Sequence, residues 1–132
     1  MSLSNYAENL LLNWLLNPSA TPIRPTDLYV SLHTGDPTED GATAEVTAII
    51  DANYVRKFVT FGDASNGSIV TDAVVSWLVD ENSSGYSVSH IGLWDSATAG
   101  NCLFIGEMVV PKALTASAIL TFNAGDLVAA LD

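Results

Sequence analysis

The sequence has few basic residues. Four lysines and arginines stand against 15 aspartates and glutamates in 132 residues, which gives a formal net charge of −11. The basic residues form no cluster beyond one adjacent pair; they are Arg24, Arg56, Lys57 and Lys112. Binding to nucleic-acid phosphates or to an anionic membrane surface needs clustered lysine and arginine. We therefore expect no nucleic-acid partner and no membrane partner.

The sequence is also poor in features of exported and membrane proteins. Its single cysteine, Cys102, cannot form a disulfide within the chain and cannot hold a zinc ion alone. Because it opens the apolar run 102–105, we expect it to be a buried small hydrophobic residue. No apolar run approaches the roughly 20 residues of a membrane-spanning helix, and the first residues lack the basic side chains of a secretory signal. The sequence predicts a soluble protein made in the cytoplasm.

Apolar side chains, by contrast, are abundant. Hydrophobic residues make up 48% of the chain against 14% charged residues, and the mean hydropathy is +0.31. Disorder requires low hydrophobicity as well as high net charge, so the chain is expected to fold around a core. A length of 132 residues corresponds to about one domain.

Residues 3–16 are predicted to form a helix. Apolar residues recur at the spacing of one helix face: Leu3, Ala7, Leu10, Leu11, Trp14 and Leu15. Ser4 is a suitable N-cap, and Pro18 ends the helix. Leu12 and Leu16 make the apolar stripe broader than a surface helix requires. The helix therefore either covers the core of its own domain or docks on a neighbouring subunit; the candidate assembly interface is Leu10, Leu11, Trp14 and Leu15.

Beyond the proline-rich stretch 18–27, the apolar period changes from the helical spacing to two. Leu28, Val30 and Leu32 alternate with Tyr29, Ser31 and His33, which is typical of a half-buried strand. Further strands are predicted at 55–61, 68–71, 73–79, 87–94, 102–109, 117–123 and 127–131, with an Asn66-Gly67 hairpin turn after the first of these.

Short strands at regular spacing, separated by glycine, asparagine and aspartate turns, indicate an all-β fold. We predict a jelly-roll-like β-sandwich of about seven or eight short strands with one N-terminal α-helix. The predicted domain organisation is an N-terminal helix over 1–17, a proline-rich linker over 18–27 and a β-sandwich domain over 28–132.

No arrangement of residues indicates an enzyme. The two histidines, His33 and His90, each fall inside a predicted strand, where a structural role is expected. The chain has no Gly-x-Ser-x-Gly elbow, glycine-rich phosphate loop, His-Glu-x-x-His or Cys-x-x-Cys motif. Its acidic residues are spread along the chain rather than paired as general acid–base catalysis requires. We expect no catalytic residues and no cofactor.

Two features of the sequence leave open whether the chain binds a ligand. The acidic loop 36–41 carries Asp36, Glu39 and Asp40, but their spacing differs from that of a calcium-binding EF-hand, so a solvated loop without a metal is expected. Exposed indoles can stack on sugars. Packing in the core is nevertheless expected for Trp14, Trp77 and Trp94, with sugar binding left open for Trp94.

Several stretches form an ordered set over nearly the whole chain. They are LSNYAEN at 3–9, LYVSLHT at 28–34, YVR at 54–56, VTFG at 59–62, HIGLWD at 90–95, and the shorter pieces 36–37, 100–101, 103–104, 111–112 and 122–132. In this order they resemble a family of small virion proteins of tailed bacteriophages, usually labelled phage tail fibre proteins and including capsid decoration or cement proteins. The resemblance implies a structural protein of the virion without catalytic residues.

Two positions on the particle are compatible with this resemblance. The first is a capsid decoration (cement) protein that stabilises the head, forms a homotrimer and binds the major capsid protein, after synthesis in the host cytoplasm. The alternative is a tail fibre or receptor-binding module that binds tail components. Fibre proteins are usually longer, with repeats or coiled-coil heptads that this chain lacks.

Overall fold

The structure is a computed structural model that describes residues 1–131; Asp132, the last residue of the predicted 28–132 domain, lies outside them. The described residues form nine strands and one helix. In chain order these are β1 (Ser2–Leu3), α1 (Asn5–Leu16), β2 (Leu28–His33), β3 (Lys57–Val59), β4 (Ser68–Val70), β5 (Val75–Leu78), β6 (Tyr86–Trp94), β7 (Cys102–Leu114), β8 (Ile119–Phe122) and β9 (Val128–Ala130). The predicted all-β fold with one N-terminal helix is confirmed.

The strands are arranged as one five-stranded sheet and two two-stranded ribbons. The large sheet has the order β1-β7-β6-β2-β3, and the ribbons are β4-β9 and β5-β8, with antiparallel pairing throughout. Val30 and Leu32 of β2 are almost fully buried in one cluster with Trp77 and Leu120 of the β5-β8 ribbon. Each such large apolar side chain stabilises the fold by about 1.5–3 kcal/mol through its burial. The apolar residues that alternate along β2 therefore join the two layers of a β-sandwich.

The predicted strands agree with the observed ones within two residues at each end, except for β7. That strand was predicted to end at residue 109 but continues to Leu114. Glu107 pairs with His90 and Lys112 with Val88, so residues 108–111 bulge out opposite a single residue of β6. A bulge tolerates proline because the bulged residues leave the hydrogen-bonded ladder, and Pro111 lies within it.

The Asn66-Gly67 turn is confirmed. Both residues have positive φ angles, 52° and 74°, as a type I′ turn requires. The flanking residues Ser65 and Ser68 exchange two backbone hydrogen bonds of 2.8 and 3.0 Å. This turn carries the chain from β3, in the large sheet, to β4, in a ribbon.

The N-terminus differs from its prediction. The helix begins at Asn5 rather than at residue 3, because Ser4 caps it by accepting a hydrogen bond from the amide of Ala7 at 3.2 Å. The residues before the cap are extended, and Ser2 and Leu3 pair with Ile105 and Phe104 at the edge of β7. The division into 1–17, 18–27 and 28–132 stays a prediction.

Candidate assembly surface

The first turn of α1 is fixed to the edge of the large sheet. Ser4 is fully buried; its amide donates to the carbonyl of Leu103 at 2.9 Å, and its hydroxyl donates to the carbonyl of Cys102. Ala7, one turn further, is the buried residue of the helix. The sequence therefore anchors α1 by its capping residue and one small side chain.

The rest of α1 leaves its apolar side chains largely in solvent. Leu10 and Leu11 are half-buried, whereas Trp14 is 68% exposed. Leu12, Leu15 and Leu16 are also exposed. The prediction that Trp14 packs in the core is therefore wrong, since an amphipathic pattern shows which face is apolar but not what covers it. Because monomeric proteins rarely leave so many neighbouring apolar side chains exposed, this part of the helix is the candidate assembly surface.

A groove of about 500 Å³ runs beside the helix. It is lined by Leu10, Leu11 and Trp14 of α1, by residues 22–25 of the following segment, and by Leu103 and Phe104 of β7. Ile23 is 85% exposed at this groove. Of the four residues predicted as the assembly interface, three therefore line the groove, and the fourth, Leu15, is exposed on the helix.

The outward side of α1 is a stripe that carries a single charge. Glu8, Leu12, Leu15 and Leu16 follow the i, i+4, i+7, i+8 spacing and therefore lie on one face of the helix. Glu8 is the helix's one charged residue, and Arg24 is the one charged residue of the groove lining. We call Glu8, Leu12, Leu15 and Leu16 the outer stripe.

The face of the large sheet opposite the core carries a buried polar network around His33. The His33 ring lies 2.8 Å (Nδ1) from the carbonyl of Thr43 and 2.7 Å (Nε2) from the hydroxyl of Ser31, which also accepts the indole N–H of Trp94 at 2.8 Å. Because a carbonyl can only accept, Nδ1 carries the ring proton and donates to Thr43, and Nε2 accepts a hydrogen bond from the hydroxyl of Ser31. Burial lowers the pKa of His33, although its bond to Thr43 opposes this. Both ring nitrogens of His33 therefore have partners within the fold, and the side chain has no exposed surface.

Arg56 covers the indole of Trp94. Its guanidinium carbon lies 3.6 Å from the ring centroid, and the group binds both carboxylate oxygens of Glu45 at 2.8 Å. Burial alone would raise the pKa of Glu45. Hydrogen bonds from Arg56 and Tyr54 together outweigh this effect, so the pKa of Glu45 is lowered. Trp94 is 5% exposed and covered by a cation, so it cannot stack on a sugar. Sequence reasoning missed this three-residue contact because no spacing rule relates residues 45, 56 and 94.

The acidic loop 36–41 is closed by its own hydrogen bonds. Asp36 accepts the amide of Thr38 at 2.9 Å, and Asp40 accepts the amide of Ala42 and the hydroxyl of Thr38 at 3.0 and 2.7 Å. The two bonds that Asp40 accepts, first that from the amide of Ala42 and then that from Thr38, lower the pKa of its carboxyl. Over residues 1–131 no three Asp, Glu, His or Cys side chains come together as a metal site.

The remaining predicted residues take the following places. Cys102 is 2% exposed, and burial raises the pKa of its thiol to about 11, which makes it unreactive near neutral pH. His90 is half-buried beside Ser89 and pairs with His33 across the sheet. Trp77 is buried in the core, as predicted. In the described part of the chain, no helix has the length and apolarity to cross a membrane.

Comparison with known protein families identifies the chain's similarity to one of them. A family model described as "Podophage GP4 fiber I protein gp80" matches residues 2–130, nearly the whole chain. No protein with a curated description matches it.

Proposed function

Because the chain belongs to the family of the podophage GP4 fiber I protein gp80, a family of phage fibre-type structural proteins associated with the virion, we propose that it is a non-enzymatic subunit that assembles with neighbouring chains through its N-terminal surface. The observation that carries this proposal is the exposure of Leu12, Trp14, Leu15 and Leu16 beside an apolar groove. Monomeric soluble proteins rarely expose such a contiguous apolar surface, so a partner chain is its expected cover.

The absence of catalytic residues is part of the proposal. His33 is buried and engaged at both ring nitrogens, and the thiol of Cys102 has a raised pKa. Arg56 and Glu45 neutralise each other in a bidentate pair with Trp94 beneath. The polar atoms of these groups are engaged within the fold, which supports a non-enzymatic role.

On the particle, we propose the position of a capsid decoration protein. The chain would be made in the host cytoplasm, form a homotrimer and bind the major capsid protein. Its charge of −11 favours solubility before assembly and repels packaged DNA. A protein that binds the closed shell but not the free coat subunit stabilises the shell by mass action.

A tail fibre component is the second candidate. The family description names a fibre protein, which is compatible with this position as well. In that position the same N-terminal surface would attach the β-sandwich to other tail components. The two positions differ in what the particle loses without the chain.

The experiment compares wild-type particles with particles that lack this protein. If the protein decorates the capsid, the deficient particles should release DNA at a lower temperature than wild type while host adsorption is unchanged. Equal heat resistance with lost adsorption would favour the fibre position and reject decoration. Cryo-EM density of the wild-type particle gives an independent answer, and absence of the protein from purified virions would reject both.

A further inference from the structure

The outer stripe is suited to contact with another chain of the same charge. Glu8 is the single charged residue among the 12 residues of α1, whereas the chain as a whole has 15 acidic and 4 basic residues. Two copies with a net charge of −11 each repel one another at contacts that bring their carboxylates together. At the outer stripe, leucines face outward instead, so two copies approach with little repulsion.

The two charges that border the surface have opposite signs. Glu8 stands at the N-terminal end of the outer stripe, and Arg24 follows the exposed Ile23 at the groove. The ion pair of residues 1–131 joins Arg56 to Glu45, so neither Glu8 nor Arg24 is paired within the described chain. A second copy of the chain supplies a carboxylate that can pair with Arg24 and a guanidinium that can pair with Glu8.

From this self-complementarity we infer that a second copy of the chain covers the N-terminal surface. In this contact the outer stripe packs against the groove segment of the neighbour, and Glu8 of one copy pairs with Arg24 of the next. The inference rests on the proposed structural role and identifies the partner at that surface. It holds for a two-fold contact, which makes the pair twice, and for a closed ring, which makes it once per interface.

A membrane fits the surface less well. Amphipathic helices that lie on membranes carry lysine and arginine on their polar face, and α1 has none. The high negative charge of the chain also opposes an anionic lipid surface.

The first test measures the self-association of the full chain by sedimentation velocity over a range of concentrations at low salt. Glu8→Arg and Arg24→Glu are each expected to raise the dissociation constant by about two- to fivefold for every ion pair lost at the interface, the range of exposed ion pairs. The double variant Glu8→Arg/Arg24→Glu should restore the wild-type constant. Glu81→Arg and Lys112→Glu are the matched controls, because both residues are exposed and give the same changes in net charge elsewhere.

The second test removes apolar contact. Leu12→Gln/Leu15→Gln should raise the dissociation constant by about tenfold or more, as expected for side chains at the centre of an interface. Leu78→Gln, at an exposed leucine of β5, should leave it unchanged. Since all three leucines are exposed, circular dichroism should report the wild-type fold for each variant.

A chain that stays monomeric at all concentrations would overturn the inference, as would self-association that Leu12→Gln/Leu15→Gln does not weaken. Incorporation into virions separates these outcomes from failure of the proposed function. A monomeric chain found in purified particles rejects the second copy and retains the structural role. A self-associating chain absent from particles does the reverse.

Discussion

At the scale of single residues, one cation links three segments of the chain. Arg56 binds Glu45, lies over Trp94, and donates to the carbonyls of Ser96 and Ala99 at 3.2 and 2.8 Å. Charge-assisted and bidentate bonds of this kind are the stronger hydrogen bonds in proteins. The loops at this end of the sandwich are therefore fixed relative to the sheet, and His33 lies sealed beneath them.

The buried His33 should make the fold less stable in acid. Burial holds its pKa below 6.5, so just below pH 6.5 the unfolded chain binds a proton that the folded chain does not. The free energy of unfolding therefore falls as the pH falls from 6.5 toward the lowered pKa. In His33→Gln this part of the loss should disappear. Urea unfolding of both proteins at about pH 8 and about pH 5 measures it, and an equal loss in both would contradict the explanation.

Gly41 should be intolerant of a side chain for two reasons. Its φ of 73° is unfavourable for other residues, and an added Cβ would lie 2.6 Å from Cβ and Sγ of Cys102 and 2.9 Å from Cζ2 of Trp94. Gly125 has a φ of 88° but open space around it, so Gly125→Ala isolates the backbone cost of about 1–2 kcal/mol. Gly41→Ala should lower the unfolding free energy by about 1–3 kcal/mol more, from overpacking. An equal loss of unfolding free energy for the two variants in chemical denaturation would show that the loop accommodates the added methyl group without further cost.

Single residues differ in how far the sequence predicts them. The alternation along β2 places His33 with Tyr29 and Ser31, away from the core face, and the structure agrees. Its partner Thr43 could not be predicted, because the loop that covers this face has no period. The exposure of Trp14 escaped prediction because burial depends on neighbours distant in sequence.

At the scale of elements, the helix depends on its first turn for attachment to the sheet. Ser4 both caps α1 and bonds to β7, so Ser4→Ala removes an N-cap, worth about 0.5–2 kcal/mol, and leaves the carbonyl of Cys102 without its hydroxyl partner. We expect the unfolding free energy to fall by about 2 kcal/mol in total. Ser2→Ala, at an exposed position of β1, should change it by less than about 0.5 kcal/mol. Thermal unfolding of the two variants tests this, and similar melting temperatures would mean that the cap contributes little.

Most strands follow from local pattern, and the exceptions have physical causes. Strand β1 is two residues long, too short for any period, and exists because β7 offers a free edge. Strand β7 continues through Pro111 because a bulge removes the requirement for a donor there. Both depend on pairing with distant segments, which the local sequence does not contain.

At the scale of the whole molecule, we propose that the acidic surface of the chain and the largely apolar N-terminal surface have different tasks. In the proposed assembly, the helix and groove join copies of the chain, and exposed carboxylates elsewhere on the acidic chain pair with lysine and arginine of the coat. Several copies joined in one oligomer bind with avidity, so weak single contacts give firm attachment. A rim of charges around an apolar centre controls mainly the rate of association.

Salt should therefore slow attachment more than it loosens attached protein. The net charge of −11 attracts a basic coat surface over a range that shrinks from about 14 Å to about 6 Å as salt rises from about 50 to 300 mM. We expect the association rate with particles that lack the protein to fall by about tenfold over this interval, while the dissociation rate changes by less than about threefold. Binding of fluorescently labelled protein gives both rates. A sucrose series serves as the control for viscosity and non-ionic solute. An association rate that does not depend on salt would place the attachment on apolar contacts alone.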